Sequence, residues 1–162
     1  MTPRSILRIS IMLFDLALIA PAWAHAQATP DSSGAFVRTS ARITMRDGVV
    51  LNTDIYTPKN RTGELPILMT RTPYGIDGAA RNFDGPYKEL AADGYIFVFQ
   101  DIRGRFKSEG QFVMQRPPKT GSDAKAIDEA SDAFDTIDWL IKNVPGNNGR
   151  VGMLGVSYDG WL

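Results

Sequence analysis

The sequence has 162 residues, 43% of them apolar and 10% aromatic, which suffices for one globular core and excludes a disordered chain. Eighteen basic and eighteen acidic side chains cancel to a formal net charge of zero, so the composition lacks the net positive charge typical of proteins that bind nucleic acid or an anionic membrane. There is no cysteine, which excludes disulfides, thiolate catalysis and cysteine-ligated metal or iron-sulfur sites.

The N-terminus predicts export. Arg4 and Arg8 precede an apolar stretch, and Ala24-His25-Ala26 is typical of a small-x-small cleavage site. These features predict a signal peptide over residues 1–26, with an uncleaved membrane anchor as the alternative. We therefore expect a secreted or periplasmic protein that has neither nucleic acid nor, after cleavage, a membrane as its partner.

Cleavage would also remove His25, which is the only histidine in the sequence. The mature chain would then have no imidazole to act as a general base or as a metal ligand. We expect no cofactor and no metal site.

A polar spacer over residues 27–35 is predicted to precede the folded domain, which would occupy residues 36–162.

The first folded segment predicts a β-hairpin. Residues from Phe36 to Tyr56 alternate between apolar and polar on either side of Arg46-Asp47-Gly48, and an Asp-Gly pair between such runs favours a hairpin turn. A second short strand is predicted over Pro66–Thr70, followed by the loop Arg71–Gly75. Gly85-Pro86 then predicts the start of a helix that ends near Asp93, with Gly94 as its C-terminal glycine.

A central strand and a long helix follow. The β-branched and aromatic run Tyr95–Gln100 predicts a strand in the middle of the sheet. Ser122 or Asp123 is predicted to cap a helix that ends near Val144 and is about 30 Å long. Its predicted apolar face consists of Ile127, Phe134, Ile137 and Ile141.

Four carboxylates lie on this helix at spacings of three and four residues: Asp128, Asp132, Asp135 and Asp138. Such a pattern can hold a metal ion, but no softer ligand accompanies the carboxylates. We interpret them as a solvated helix face.

The last dozen residues predict a strand that leads into a tight turn around Ser157. Val151, Met153, Leu154 and Val156 form a short apolar run typical of a strand buried on both faces, and we expect this strand to begin at Arg150 after the loop Pro145–Gly149. Gly155 and Gly160 remove side chains beside the serine, as in a nucleophile elbow. An ordinary strand-turn-helix with a capping serine is the alternative, because the second glycine stands one residue later than in G-x-S-x-G.

Helical crossovers between the last three predicted strands make those strands parallel, which predicts an α/β class fold with a mostly parallel, doubly wound sheet. Ligands bind such sheets at the carboxyl ends of the strands. Three loops should converge there: Arg71–Gly75, residues 101–110 and the turn at Ser157. This placement favours Ser157 as a nucleophile.

Several segments resemble one family, in this order: Met45–Tyr56, Arg71–Gly75, Asp101-Ile-Arg-Gly104 with Ser108-Glu-Gly110, Asp138-Trp139-Leu140, and Gly155-Val-Ser-Tyr-Asp-Gly160. The sequence is similar to the cocaine esterase and α-amino acid ester hydrolase (CocE/NonD) family of α/β-hydrolases, whose neighbours include acylases and Xaa-Pro dipeptidyl peptidases. In that family the sequence of the elbow is G-x-S-Y-x-G, which accounts for the displaced second glycine. Arg105-Phe-Lys107 departs from the glycine-containing spacing common there.

The resemblance implies a serine hydrolase that acts on small-molecule esters or amides, or on short peptides, through an acyl-enzyme on Ser157. The backbone N-H of Tyr158 would stabilise the oxyanion. By resemblance, the phenol of Tyr74 would donate the second hydrogen bond. Asp101, Arg103 and Arg105 are interpreted as an internal ion pair that holds their loop, rather than as an anion site.

The family also continues well beyond the nucleophile with further sheet, a cap and a C-terminal β-domain. Because the acid and the base of the triad follow the serine in these folds, the sequence is expected to be an N-terminal fragment that is inactive alone. The alternatives are a peptidase of the Xaa-Pro dipeptidyl peptidase type and a complete, non-catalytic secreted binding domain.

Overall fold

The computed structural model describes residues 28–30, 34–121, 123 and 126–162, so the predicted signal peptide lies outside the described residues. The helices and strands in chain order are β1 (Ala28–Pro30), β2 (Phe36–Thr44), β3 (Val50–Pro58), β4 (Leu65–Thr72), a 3-10 helix (Ala79–Asp84), α1 (Lys88–Asp93), β5 (Ile96–Asp101), α2 (Glu129–Asn143), β6 (Asn147–Met153) and a second 3-10 helix (Ser157–Trp161). None of the helices in this part of the chain is long and apolar enough to cross a membrane.

The described strands form one six-stranded sheet in the order β1-β2-β3-β5-β4-β6. The predicted hairpin is confirmed, because β2 and β3 pair antiparallel from Phe36 opposite Pro58 to Thr44 opposite Val50. The turn between them contains Gly48 at a φ of 90°, a conformation that favours glycine. Strand β1 was not predicted; it lies in the segment interpreted as a spacer and pairs antiparallel with β2.

The last three strands are parallel, as predicted, but the described sheet as a whole is mixed rather than mostly parallel, because β1–β2, β2–β3 and β3–β5 pair antiparallel. Strand β4 pairs parallel with β5 on one side and with β6 on the other. All six residues of β5 are buried, and this strand lies between β3 and β4, so its predicted central position is confirmed. The predicted helix before β5 is also present, although α1 begins at Lys88, and Gly94 caps its end at a φ of 87°.

Alternate side chains of β5 point into two cores, one on each face of the sheet. Ile96 and Val98 join the aliphatic core under α2. Phe97 and Phe99 join an aromatic core under α1 and the first 3-10 helix, where Phe83 lies with its ring centroid 4.4 Å from that of Phe36. Helices therefore cover both faces of the sheet.

Helix α2 starts later than predicted. It begins at Glu129 and spans 15 residues, or about 22 Å at 1.5 Å per residue. Its N-cap is Asp128, whose carboxylate accepts a hydrogen bond from the backbone of Ser131 while the Ser131 hydroxyl accepts one from the backbone of Asp128. Asp123 is not helical, and Ser122 lies outside the described residues. This reciprocal cap satisfies two free N-H groups.

The predicted apolar face of α2 is wrong in part. Phe134 is 65% exposed and Ile141 is 39% exposed, whereas Ala133, Thr136 and Leu140 are buried against the sheet. Ile137 is half-buried and packs against the aliphatic core. The helix is thus rotated so that smaller and more polar residues face the sheet.

The solvated acidic face is also wrong for three of its four members, because each has a protein partner. Asp128 is the N-cap, Asp132 pairs with Arg103 at 2.7 Å, and Asp135 pairs with Arg46 at 2.7 Å. Asp138 remains largely exposed and pairs with Lys142 one turn away. Ion pairing to distant segments sets the rotation of α2.

Arg103 is the centre of this network. Its guanidinium is 3% exposed and bonds Asp132 of α2 on one side and Asp47 of the hairpin turn on the other, each at 2.7 Å. Burial alone would lower the pKa of this guanidinium, but the hydrogen bonds to the two carboxylates outweigh burial and raise the pKa above its usual range. Arg103 therefore stays charged and joins three segments.

We predict that Asp132→Asn lowers the free energy of unfolding by about 3 kcal/mol, because it leaves part of the buried Arg103 charge uncompensated. Asp138→Asn, on the same helix but in an exposed pair, should cost less than about 0.5 kcal/mol. Urea denaturation of both variants measures the difference. Equal losses would contradict a structural role for the buried pair.

Candidate active site

Strand β6 delivers the chain to the turn at Ser157. It begins at Asn147 rather than at Arg150, inside the segment predicted as a loop. The prediction that its apolar run is buried on both faces is wrong, since Met153 is 45% exposed and Val156 is 79% exposed. The reason is that β6 lies at the edge of the described sheet and pairs with β4 alone.

The backbone at Ser157 is strained as an elbow requires. Its φ is 58°, in the left-handed region that non-glycine residues rarely occupy, and the residue is exposed. Such a conformation costs of the order of 1–3 kcal/mol and is typical of functional turns. The predicted tight turn at Ser157, after a parallel strand, is therefore present in the structure, and its serine is strained and exposed.

Gly155 permits the tight turn. A Cβ atom on this residue would lie 2.3 Å from the backbone oxygen of Asp159 and 2.4 Å from its carbonyl carbon, distances that no side chain tolerates. A Cβ atom on Gly160 would lie 3.3 Å from the backbone oxygen of Gly155. The elbow thus closes on itself across Gly155 and Gly160, which explains why glycines stand at these two positions.

Tyr158 ties the elbow to the loop that precedes α2. Its phenol oxygen accepts a hydrogen bond of 2.8 Å from the backbone N-H of Gln115, a residue whose φ is 49°. Tyr158, Gln115 and Trp161 contribute to the lining of an open cavity of about 490 Å³. The phenol therefore has a structural partner, while the predicted oxyanion role of the Tyr158 backbone N-H stays a prediction.

Tyr74 follows β4, the strand next to β6, and its side chain is 66% exposed. Its backbone N-H donates to the hydroxyl of Thr72 at 3.2 Å. Tyr74, Thr72 and Asp159 line one cavity of about 330 Å³. The structure therefore brings the Tyr74 loop to the elbow, as the parallel strands predict, and the donor role of Tyr74 stays a prediction.

Asp159, which was not predicted as a site residue, lines the same cavity as Tyr74. Its Oδ1 atom is buried and has no hydrogen-bond partner among the described residues. Burial raises the pKa of this carboxyl, and the hydrogen bond with Thr72 only partly opposes that effect. The one sequence feature that marks this residue is its place between Ser157 and the displaced glycine.

The loop after β5 lies against the Tyr74 loop, but its internal ion pair is not the predicted one. Arg103 pairs with Asp47 and Asp132 rather than with Asp101. Asp101 instead accepts hydrogen bonds from the side chain of Asn52 at 2.9 Å and from the backbone of Ile76 at 3.2 Å. Burial raises the pKa of the Asp101 carboxyl, and these two bonds oppose that effect.

Helices cover both faces of the sheet, and a strained serine follows one of its parallel strands. This arrangement is typical of an α/β-hydrolase. The chain belongs to the X-Pro dipeptidyl-peptidase (S15) family, whose model matches residues 47–162. This membership confirms the resemblance inferred from the motifs and, with the structural neighbours described next, the predicted α/β-hydrolase fold.

Individual relatives support the same family assignment. The chain is 38% identical over 126 residues to a cocaine esterase of Rhodococcus sp. (strain MB1 Bresler), a match that covers 76% of this chain and 20% of that protein. The structure is similar to an α-amino acid ester hydrolase, with a TM-score of 0.71 and 40% identity over 94% of this chain and 25% of the other. An aminopeptidase from a marine sediment Thaumarchaeota archaeon gives a TM-score of 0.70 and 39% identity over 78% and 22% of the two chains.

The chain therefore spans between about a fifth and a quarter of the length of these relatives. The part matched by the family model, residues 47–162, contains the elbow and the Tyr74 loop.

We predict that Gly155→Ala disrupts the elbow, because the added methyl group would overlap the backbone of Asp159. We expect destabilisation of about 1–3 kcal/mol and loss of a reactive Ser157. Gly152→Ala is the matched control on the same approach to the elbow, since its Cβ would lie 3.5 Å from Leu68, an ordinary contact. Thermal unfolding and fluorophosphonate labelling of both variants of the full-length protein measure the effect, and equal behaviour of the two would contradict it.

Proposed function

We propose that the protein is a serine hydrolase that cleaves an ester or amide bond through an acyl-enzyme on Ser157. The observation that carries this proposal is the left-handed, exposed Ser157 that follows the carboxyl end of a parallel strand. Asp159, two residues later in the same turn, lines one cavity with Tyr74. Family membership supports it, since relatives that share the matched segment bear the names of esterases and an aminopeptidase.

In the proposed reaction, Ser157 Oγ attacks the carbonyl carbon of the substrate while a base takes the hydroxyl proton. The carbonyl oxygen becomes an oxyanion, for which the backbone N-H of Tyr158 and the hydroxyl of Tyr74 are the proposed donors. The leaving group departs with a proton, and water then releases the acyl group and regenerates the serine.

The Tyr74 hydroxyl has no hydrogen-bond partner among the described residues, so no existing bond competes with donation to the substrate. The hydroxyl of a tyrosine is a good donor to a developing negative charge.

The reaction also needs a general base that accepts the proton of Ser157. The sequence has one histidine, His25, within the predicted signal peptide. The relatives extend far beyond the matched segment, and we propose that the base and its carboxylate partner belong to such further sequence in the complete protein.

For the substrate we propose a small ester or amide. A peptidase of the Xaa-Pro dipeptidyl peptidase type is the second candidate, favoured by the name of the family. Parallel assays with a p-nitrophenyl ester, an α-amino acid ester and an Xaa-Pro p-nitroanilide distinguish the two. Turnover of the anilide alone would replace the esterase proposal by the peptidase.

Ser157→Ala in the complete protein should abolish both turnover and labelling by a fluorophosphonate, because the alanine has no nucleophilic oxygen. Other serines, such as Ser40 in β2, should not be labelled in the wild-type protein. Labelling that persists after Ser157→Ala would refute the assignment.

Tyr74→Phe removes one hydroxyl and should lower kcat by about 10²-fold to 10³-fold, as loss of an oxyanion donor does elsewhere. The ring is largely exposed, so the thermal midpoint should change little. Steady-state kinetics and thermal unfolding give the two readouts. An unchanged kcat would mean that Tyr74 is not an oxyanion donor and has only a structural role in its loop.

We further propose that the protein is secreted or periplasmic, on the strength of the charged, apolar and small-x-small pattern of residues 1–26. The mature chain should then begin at Gln27. N-terminal sequencing of exported material tests this, and recovery of intact Met1 in the membrane fraction would favour an uncleaved anchor.

A further inference from the structure

The orientation of Tyr74 must come from the backbone on either side of it. Its side chain is exposed, and among the described residues its hydroxyl has no hydrogen-bond partner. An oxyanion donor nevertheless has to be held within a fraction of an ångström of its working position. The neighbours of Tyr74 along the chain, Pro73 and Gly75, are both held by the loop that follows β5.

Arg105 holds Pro73. Its Nε atom donates a hydrogen bond of 2.9 Å to the carbonyl oxygen of Pro73, the residue directly before Tyr74. Its guanidinium lies over the ring of Phe106 at 5.4 Å and over the ring of Phe112 at 5.1 Å, measured to the ring centroids. Two aromatic contacts and one hydrogen bond together fix a side chain that is otherwise flexible.

Arg105 differs in this from Arg103, two residues before it. Arg103 pairs with two carboxylates, whereas Arg105 makes no ion pair within the described part of the chain. A guanidinium held by a backbone carbonyl and two rings, without a carboxylate, is not explained as a structural ion pair. Among the described residues, the one hydrogen bond of its guanidinium is to Pro73, the residue directly before Tyr74.

Phe106 holds Gly75 on the other side of Tyr74. A Cβ atom on Gly75 would lie 2.8 Å from the Phe106 ring, so the ring rests directly on the glycine backbone. Phe106 itself has a φ of 47°, an unfavourable conformation for an aromatic residue. The loop after β5 thus keeps a strained residue in place where its ring contacts the Tyr74 loop.

We propose that Arg105 is a positioning residue for the oxyanion donor Tyr74: it fixes the Pro73 carbonyl and, through its contact with the Phe106 ring, the packing on Gly75. The inference rests on the proposed function of Tyr74. It assigns Arg105 no contact with the substrate, and its effect on the reaction passes through the Tyr74 hydroxyl.

The test is a double-mutant cycle in the complete protein, made from Arg105→Met, Tyr74→Phe and the double variant. Arg105→Met should lower kcat by about tenfold and change KM less than about twofold, because a misplaced donor weakens transition-state binding. In the Tyr74→Phe background, Arg105→Met should lower kcat by less than about twofold, since the hydroxyl that it positions is gone.

Two further variants separate geometry from charge and from general loop damage. Arg105→Lys keeps the charge but loses the planar group that stacks between the rings, so it should be nearly as slow as Arg105→Met. Lys107→Met changes a residue in the same loop as Arg105. It removes an exposed ion pair with Asp77, in the segment after β4, and should leave kcat unchanged. Thermal unfolding of each variant identifies any that fail to fold, and Arg105→Gln then replaces Arg105→Met.

Each outcome of these measurements supports or overturns the proposed role of Arg105. Additive effects of Arg105→Met and Tyr74→Phe, or full activity of Arg105→Lys, would overturn the positioning role while leaving the hydrolase proposal intact. If Tyr74→Phe alone leaves kcat unchanged, the donor role fails and the positioning role fails with it. If Ser157→Ala remains active, the proposed function itself is wrong.

Discussion

The arrangement of the site depends on the ion pairs of Arg103. This one guanidinium contacts the hairpin turn through Asp47 and α2 through Asp132, and it belongs to the loop that follows the central strand. The hairpin turn, the helix and the loop are otherwise far apart in the sequence. Because buried charges lose the stabilisation of water, the pairing must be geometrically good to be tolerated, and it therefore fixes the relative positions of the three segments closely.

A second buried cation continues the same network towards the site. Arg71, at the end of β4, is fully buried; its Nε donates to Gln100 at 3.0 Å and its Nη1 donates to the backbone of Glu129 at 2.9 Å. Burial lowers the pKa of Arg71, and the carboxylates of Glu129 and Asp132 oppose that effect. The start of α2 is thus tied to the strand that leads into Tyr74, three residues after Arg71.

The sequence predicted the hairpin, the central strand and the elbow because each depends on a local pattern, and it predicted the parallel strands because helices join them in sequence. Asp-Gly between alternating runs, a β-branched run, and glycines beside a serine each act over fewer than about a dozen residues. The boundaries and the rotation of α2 were not predictable in this way. The partner of Asp132 lies 29 residues away and the partner of Asp135 lies 89 residues away, so their local spacing is that of a solvated face.

The burial of β6 was mispredicted for a related reason. An apolar run indicates that a strand will be covered, but which elements cover it is a property of the whole sheet, and the described sheet places β6 at its edge. Asp159 was not predicted as a site residue, and Arg105 was interpreted as part of an internal ion pair although it bonds the carbonyl of Pro73, since the contacts of both residues depend on which loops meet. Loops at the carboxyl ends of neighbouring parallel strands converge by topology, so the general location of the site was predictable while its individual contacts were not.

Strain in the described backbone is concentrated where those loops meet. Ser157, Phe106 and Gln115 are the three non-glycine residues with positive φ in the described part of the chain. Ser157 is the elbow itself, Phe106 packs on Gly75, and Gln115 donates to the Tyr158 phenol. Strained residues persist only where the surrounding contacts determine their conformation. Around Ser157 those contacts are the close approach of Gly155 to the backbone of Asp159 and the hydrogen bond from Gln115 to Tyr158, so the exposed serine keeps an unfavourable backbone because the residues beside it are held.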